Sequence, residues 1–507
     1  MQKVRNANKN MKKENKGITL IALVITIIVL LILAGVSIAT LTGENGLLTR
    51  AGEAKTETKK AGAQEKVQME VAGSFDNNGK FNIDNLKDNL QNNLGVTATD
   101  DADGGITVIV DGETIKVDKN GNVTIEGEGS GGSGPVEDTS GANIPVIEDG
   151  MVGITYDENG NPQEVADATK KDWYSYEETT DEDMTDGGTT DGGNSRWANA
   201  RLNGDYYVWI PRYAYKIDNT VTYTSQKGTS NKIDVKFIGT DVTSSNVATK
   251  VGEGYIVHPA FTFGTDELTG LWVGKYETTG TASAPTILPG EISLRDINVS
   301  TMFSTAQSLS TASYDAHMMK NTEWGAVAYL AQSKYGRNGT EISDNQCSDC
   351  YTGVGRGTGD NKIYNSEYSW GTITADQRYN GTIGQLSSTT GNTYGIYDMS
   401  GGAIEYVMGV YGTAGNPTVG YSGFTTFPEA KYYDLYTNTS VDSSNIGDAL
   451  YETKGWNLDE AIFVSSTYPF FLRGGFYIDA YDGGLFGFAG GSGSSNGYNG
   501  FRVCLAV

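Results

Sequence analysis

The stretch at 472–502, LRGGFYIDAYDGGLFGFAGGSGSSNGYNGFR, decides how the rest of the chain is read. Arg473-Gly474-Gly475 opens it and Gly500-Phe501-Arg502 closes it. The glycines at both ends suit tight turns, because they carry no Cβ. Phe486 and Phe488, two residues apart after Gly484-Leu485, read as a strand-like pair pinned to a core. Residues 475–500 contain no Lys, Glu, Gln, Trp or Met, although these types make up about one residue in six of the chain. The same five are the types that an AAC or AAT codon cannot reach when only its adenines change. The residues that do fill the segment, Asn, Asp, Ser, Gly, Tyr, Phe, Ile and Ala, are all reachable.

Composition removes several function classes. The chain has 507 residues, 62 acids against 37 bases, and a net charge of -25. Such an acidic chain lacks the concentrated basic surface that phosphate recognition requires, so nucleic acid is not an expected partner. Two His and three Cys exclude a His-rich metal centre and a disulfide-dense scaffold. With only 20% charged residues, 67 Gly and 30 Tyr, long soluble helices are not expected. The length suits two to four domains.

The first 17 residues carry a net charge of +5, which leaves -30 on the remainder. Residues 18–41, ITLIALVITIIVLLILAGVSIATL, hold no charge. As a helix rising about 1.5 Å per residue they would cross a bilayer core, with the basic tip inside and the rest outside. The expectation is a single-pass cell-membrane protein with its head on the bacterial surface and the membrane as a partner through 18–41. Residues 47–72 read as a continuing helix rich in Ala, Glu and Lys. Residues 106–125 alternate in three short runs separated by Asp111-Gly112 and Asn120-Gly121, which reads as an antiparallel meander. GEGSGGSG at 127–134 reads as a flexible linker. Beyond it come short strand-like runs such as 206–210, 233–238 and 270–278, and one helix at 321–334 with Trp324, Val327, Ala328 and Ala331 on one face.

Lys16-Gly17-Ile18-Thr19-Leu20-Ile21 resembles the end of a type IV prepilin leader, which implies cleavage between Gly17 and Ile18 and a pilus-like assembly. Ile18 stands where that family usually has Phe, and Ala22 where it usually has the Glu used in filament packing. Farther on, Leu271–Glu277 (LWVGKYE), Asn321-Thr322-Glu323-Trp324, Tyr394–Tyr406 (YGIYDMSGGAIEY) and the two bracketing motifs occur in one order. That order resembles the formylglycine-generating enzyme/sulfatase-modifying family, a variant of the C-type lectin fold; Ile404 and Tyr406 replace its usual Trp. The adenine-accessible loop within this frame resembles the variable proteins of diversity-generating retroelements.

The expected architecture is α+β. A leader at 1–17 precedes a transmembrane and stalk helix at 18–72, a small pilin-like β domain at 73–126 and a linker at 127–143. A C-type lectin-like head with much irregular structure then spans 144–507, its variable loop at 475–500. The resembled enzymes need a Cys pair inside that loop to bind copper, and 476–499 contain none. Iron-dependent relatives need a His cluster, which His258 and His317 do not make, and Cys347-x-x-Cys350 has no second pair. No catalytic residue or cofactor is therefore expected. Asp118-x-Asn120-x-Asn122 and Asp157-x-Asn159-x-Asn161 begin like calcium loops but lack Gly at the sixth place and Glu at the twelfth, so the ligands of any structural calcium stay unassigned.

The function expected is recognition or adhesion of an extracellular protein or glycan through the loop, and not enzymatic. The expected contacts are Tyr477, Ile478, Asp479, Tyr481, Asp482, Gly487, Ala489, Ser492, Ser494, Ser495, Asn496, Tyr498 and Asn499, where Tyr gives contact area and the small polar residues give adaptable hydrogen bonds. Arg473, Glu405 and Arg502 read as frame residues able to form buried pairs. The alternative is a structural pseudopilin or envelope component with no dedicated ligand, and a sulfatase-modifying-type enzyme comes third.

Overall fold

The computed structural model of the protein describes residues 62–63, 66–71, 73–74, 81–101, 104–117, 119, 123–125, 138–157, 159–179, 194–217, 233–355, 373–413, 415–479 and 483–507. The chain divides into two compact units, Met1–Gly134 and Pro135–Val507.

In the first unit, helix Ile83–Asn89 starts where the Asn82 side chain accepts hydrogen bonds from the amides of Asp84 and Asn85. A four-stranded antiparallel sheet follows in sequence order: Thr99–Asp100, Ile106–Val110, Glu113–Val117 and Val123–Ile125. Its central hairpin pairs Val110 with Glu113 across Asp111-Gly112, both of which have positive φ (53° and 85°). That is the two-residue turn such dipeptides favour. Alternation buries Ile106, Val108, Val110, Ile115 and Val117 against Leu86 and Leu90.

In the second unit the longest sheet has seven antiparallel strands. Their spatial order is Asp315–Met318, Val503–Ala506, Gly270–Gly274, Asp205–Pro211, Asn199–Leu202, Met151–Tyr156 and Pro162–Glu164. Trp209 and Trp272 face each other across two central strands with ring centroids 5.2 Å apart. Their indole N–H groups donate to the carbonyls of Asn143 and Val146. A second sheet is built on Ile404–Thr413, which pairs antiparallel with Phe470–Gly474 and parallel with Asn499–Phe501 and Asp434–Tyr436. Strand Gly484–Gly491 extends it beyond Phe470–Gly474.

Helix Asn321–Gln332 is buried on every side. Tyr213 Oη donates to Ala326 O on one flank, and Trp324 Nε1 donates to Leu485 O of the second sheet on another. Gly325 permits this enclosure, because a Cβ there would lie 2.0 Å from Gly447 O.

Two expectations are corrected. The described fold is mostly antiparallel sheet, and the α+β reading headed by a pilin-like transmembrane helix does not describe it. The apolar residues come as β-branched and aromatic runs of three to ten residues between Gly and Asn turns, which bury as strands. The longest α-helix among the described residues, Asn321–Gln332, has 12 residues. No helix among the described residues is long and apolar enough to cross a membrane, which conflicts with the expected single-pass anchor and the surface location drawn from it. Residues 18–41 and the expected processing site at Gly17 and Ile18 lie outside the described residues.

Residues 138–143, assigned to the linker from sequence, pack into the second unit. Asp138 Oδ1 accepts from the Tyr176 amide, Ala142 joins the core, and Asn143 Nδ2 donates to the carbonyls of Ile238 and Thr269. A chain beginning at Pro135 should therefore melt cooperatively. One beginning at Ile144 should lose about 2–4 kcal/mol, from the severed hydrogen bonds and the orphaned Trp209 indole. Denaturant melts of the two truncations check this.

Candidate functional site

Two buried arginines hold the loop's ends. Arg473 donates to Gly487 O, Asn321 Oδ1, Asp448 O and Ala449 O at 3.0–3.1 Å, and its guanidinium stacks 5.3 Å from the Trp324 ring. Burial lowers it to about 10 and raises the neighbouring Asp448 carboxyl to about 7, against the pull of Arg473. Arg502 grips Glu405 through two hydrogen bonds of 3.2 and 2.6 Å, with both side chains fully buried, and also donates to Gly274 O and Tyr397 O.

Two further carboxylates lie in the same interior. Asp398 accepts from Asn345 Nδ2 and the Gly353 amide, while Glu277 accepts from the Ala403 amide and pairs with Ser293 Oγ. Burial pushes Asp398 up to about 6 and holds Glu277 well above the carboxylate range, with Asp398 and Glu405 adding to the effect. Gly402 (φ 75°) lets the chain pass over this cluster, since a Cβ would meet Glu277 Oε1 at 2.6 Å.

Above that frame the loop makes a small aromatic face. The ring centroids of Phe476, Tyr477 and Tyr498 lie 5.6–6.3 Å apart, and Tyr498 is 47% exposed. Backbone bonds pin the face: Tyr477 N to Gly402 O, Ile404 N to Tyr498 O, Gly493 N to Tyr406 Oη and Val299 N to Gly493 O. Arg295 adds a clamp, donating from Nη1 to Gly497 O at 2.7 Å and to Cys350 Sγ at 3.3 Å.

The residues expected to contact ligand separate into groups. Tyr477, Ile478, Ser492 and Ser494 are half-buried near the face, and Ser495, Asn496 and Tyr498 are exposed on it. Asp479 closes its own turn, taking the Phe476 amide on Oδ2 and giving its amide to Phe476 O. Ala489 is half-buried on strand Gly484–Gly491 opposite Leu472. Gly487 and Asn499 are buried: Gly487 O serves Arg473, and Asn499 pairs with Ile404. Neither reaches the surface, because both continue strands. Tyr481 and Asp482 lie outside the described residues. Sequence reasoning passed over Phe476 and Arg295; the one available signal was that Arg295 is the sole Arg between Arg212 and Arg337.

The other chemistry-bearing residues sit inside the unit. His258 lies among Tyr213, Tyr215, Phe261 and Tyr329, its Nδ1 accepting from the Ala260 amide, and burial lowers it to about 3. His317 stacks on Phe263 and bonds Glu323 through Nε2 at 2.9 Å. Cys504 is buried in the last strand, and burial pushes the Cys350 thiol up to about 12. Asp157 spends its carboxylate on Asn159 and Asn161 in a turn, whereas Asp118, Asn120 and Asn122 lie outside the described residues. Among the described residues no group of three or more His, Cys, Asp or Glu is arranged to hold a metal ion. No protein-family model matches the chain, and no curated protein sequence matches it.

Two outcomes follow from this geometry. Arg502→Ala leaves Glu405 buried without its partner and should cost about 3–5 kcal/mol, whereas Tyr498→Ala, at an exposed position, should cost roughly 0.5 kcal/mol. Chemical melts distinguish them. The second concerns acid. An unfolded histidine titrates near 6.5 and His258 only at about 3, so the unfolded chain binds a proton that the folded chain refuses. The contribution of His258 is complete above pH 6.5 and declines as pH falls from 6.5 towards 3. Asp448 and Asp398 act oppositely, since their raised values favour the fold below pH 3.8 and that favour is lost as pH rises through about 7 and 6. The difference between wild type and His258→Asn, which keeps an acceptor for the Ala260 amide, isolates the histidine: stability should fall less steeply below pH 6.5 in the variant.

Proposed function

We propose that the second unit is a recognition module that meets a protein or glycan ligand through Tyr477, Tyr498, Ser495 and Asn496. The observation that carries this reading is the three-ring cluster, with Tyr498 open to solvent on a loop whose backbone is bonded on both sides. Tyrosine supplies broad contact area at low entropic cost, which suits a recognition surface. Resemblance to retroelement-diversified lectin-type loops supports the same reading, as does the adenine-accessible composition of 475–500.

Gene sequences from independent isolates test it. Replacements should concentrate at 477, 478, 495 and 498 and spare the buried Gly487, Asn499, Arg473 and Arg502. Changes spread evenly over 475–500, buried positions included, would defeat the diversification reading. Binding is tested on a glycan array and a displayed peptide library. Ligands retained by wild type should be lost by Tyr477→Ala/Tyr498→Ala at unchanged melting temperature; retention by the double variant would place recognition elsewhere.

A further inference from the structure

A cleft of about 430 Å³ opens in the second unit, and none of its lining residues belongs to 475–500. Its size falls within the range of small-molecule clefts, about 300–1,000 Å³. Tyr351, Tyr379, Val354 and Ile373 give it an apolar and aromatic lining, while Asp349 and Arg378 bring one charge of each sign. Both charged residues are exposed at the cleft, and their side-chain charges enter none of the ion pairs among the described residues.

The walls are built before any ligand arrives. Val354 pairs with Arg378 and Ile292 with Tyr351 as isolated bridges, and Thr352 N donates to Glu291 O. The buried Asp398 carboxylate holds the Gly353 amide at 2.9 Å, and Tyr397 Oη donates to Tyr379 O at 2.6 Å. The cleft therefore does not have to be ordered by its occupant, which keeps the entropic cost of binding low.

Opposite unpaired charges beside an aromatic lining select the ligand class. An anion satisfied by Arg378 would face the Asp349 carboxylate on a chain whose net charge is -25. A cation satisfied by Asp349 would face the guanidinium. A zwitterion satisfies both, its carboxylate on Arg378 and its ammonium on Asp349, with an apolar side chain against the tyrosines. We propose that this cleft binds a free α-amino acid with an apolar or aromatic side chain, and that it does so independently of the loop sequence.

Titration calorimetry on the full chain tests this with L-phenylalanine and L-leucine, alongside N-acetyl-L-phenylalanine and L-phenylalanine amide as charge-blocked probes. The free amino acids should bind saturably, and each blocked form about tenfold or more weaker, the loss of one charged hydrogen bond. Asp349→Asn should weaken L-phenylalanine by a similar factor while leaving the N-acetyl form unchanged. Arg378→Gln should do so while leaving the amide unchanged. That crossed pattern is not produced by general damage to the fold. Tyr477→Ala/Tyr498→Ala should bind L-phenylalanine as wild type does, so failure of the loop reading and failure of this one are separable. The proposal is overturned if neither amino acid binds saturably up to about 10 mM, far weaker than a built site of this size should be. Blocked forms binding as well as the free amino acid, or variants losing all probes alike, would overturn it too.

Discussion

The C-terminal end of the loop is positioned by the Arg502–Glu405 pair. The last strands of the chain run through both sheets: Asn499–Phe501 lies parallel to Ile404–Thr413, and Val503–Ala506 lies between Gly270–Gly274 and Asp315–Met318. Arg502 is the residue between them. Its guanidinium reaches Glu405 on one sheet and Gly274 O on the other, so a single side chain ties the two layers together. A buried ion pair is not automatically stabilising, because desolvation of both charges opposes their attraction. Here the geometry is bidentate and two backbone carbonyls take the remaining donors, which is the condition under which attraction outweighs that cost. The same reach fixes where Tyr498 and Gly500 emerge.

One guanidinium faces three carboxylates in that interior, and the excess is absorbed rather than cancelled. Glu405 holds the ion pair, Asp398 is satisfied by an amide and an asparagine, and Glu277 is driven towards its neutral form by burial. The arrangement links two surfaces that are far apart in sequence. Asp398 braces Gly353 at the floor of the cleft, while Glu277 braces Ala403 beneath the loop. A charge-altering change at either acid would disturb both surfaces, whereas changes at Asp349 or Tyr498 would disturb neither frame.

Much of the sheet framework was legible because its signals are local. The runs at 106–110, 113–117 and 206–210 lie in strands, Asp111-Gly112 is a turn, and the run at 270–278 is a strand only as far as Gly274. Periodicity misjudged the helix, because its single apolar face turned out to be one side of an element enclosed all round. Such a helix must be satisfied on every side, and Tyr213 and Trp324 do this from opposite flanks. The loop was legible in composition and not in burial. Gly487 and Asn499 look like their exposed neighbours in sequence, and only the pairing with Phe470–Gly474 and Ile404–Thr413 hides them. The role of Arg295 could not be read either, since it depends on Cys350 and Gly497, 55 and 202 positions away along the chain, both coming within its reach.

The way the face is anchored explains how its chemistry could change while its shape persists. Its supporting bonds run almost entirely through main-chain atoms of the loop: the carbonyls of Gly493, Gly497 and Tyr498, and the amides of Tyr477 and Gly493. The partners that reach in from the frame, Arg295, Tyr406, Gly402 and Ile404, lie outside the loop. Substituting an exposed loop side chain therefore removes none of these bonds, and its cost should stay near that of an ordinary surface change. Asp479, Ser492 and Asn496 are different, because their side chains accept the amides of Phe476, Ser494 and Tyr498 and so shape the backbone themselves. At such positions a substitution would cost the face its form along with its chemistry.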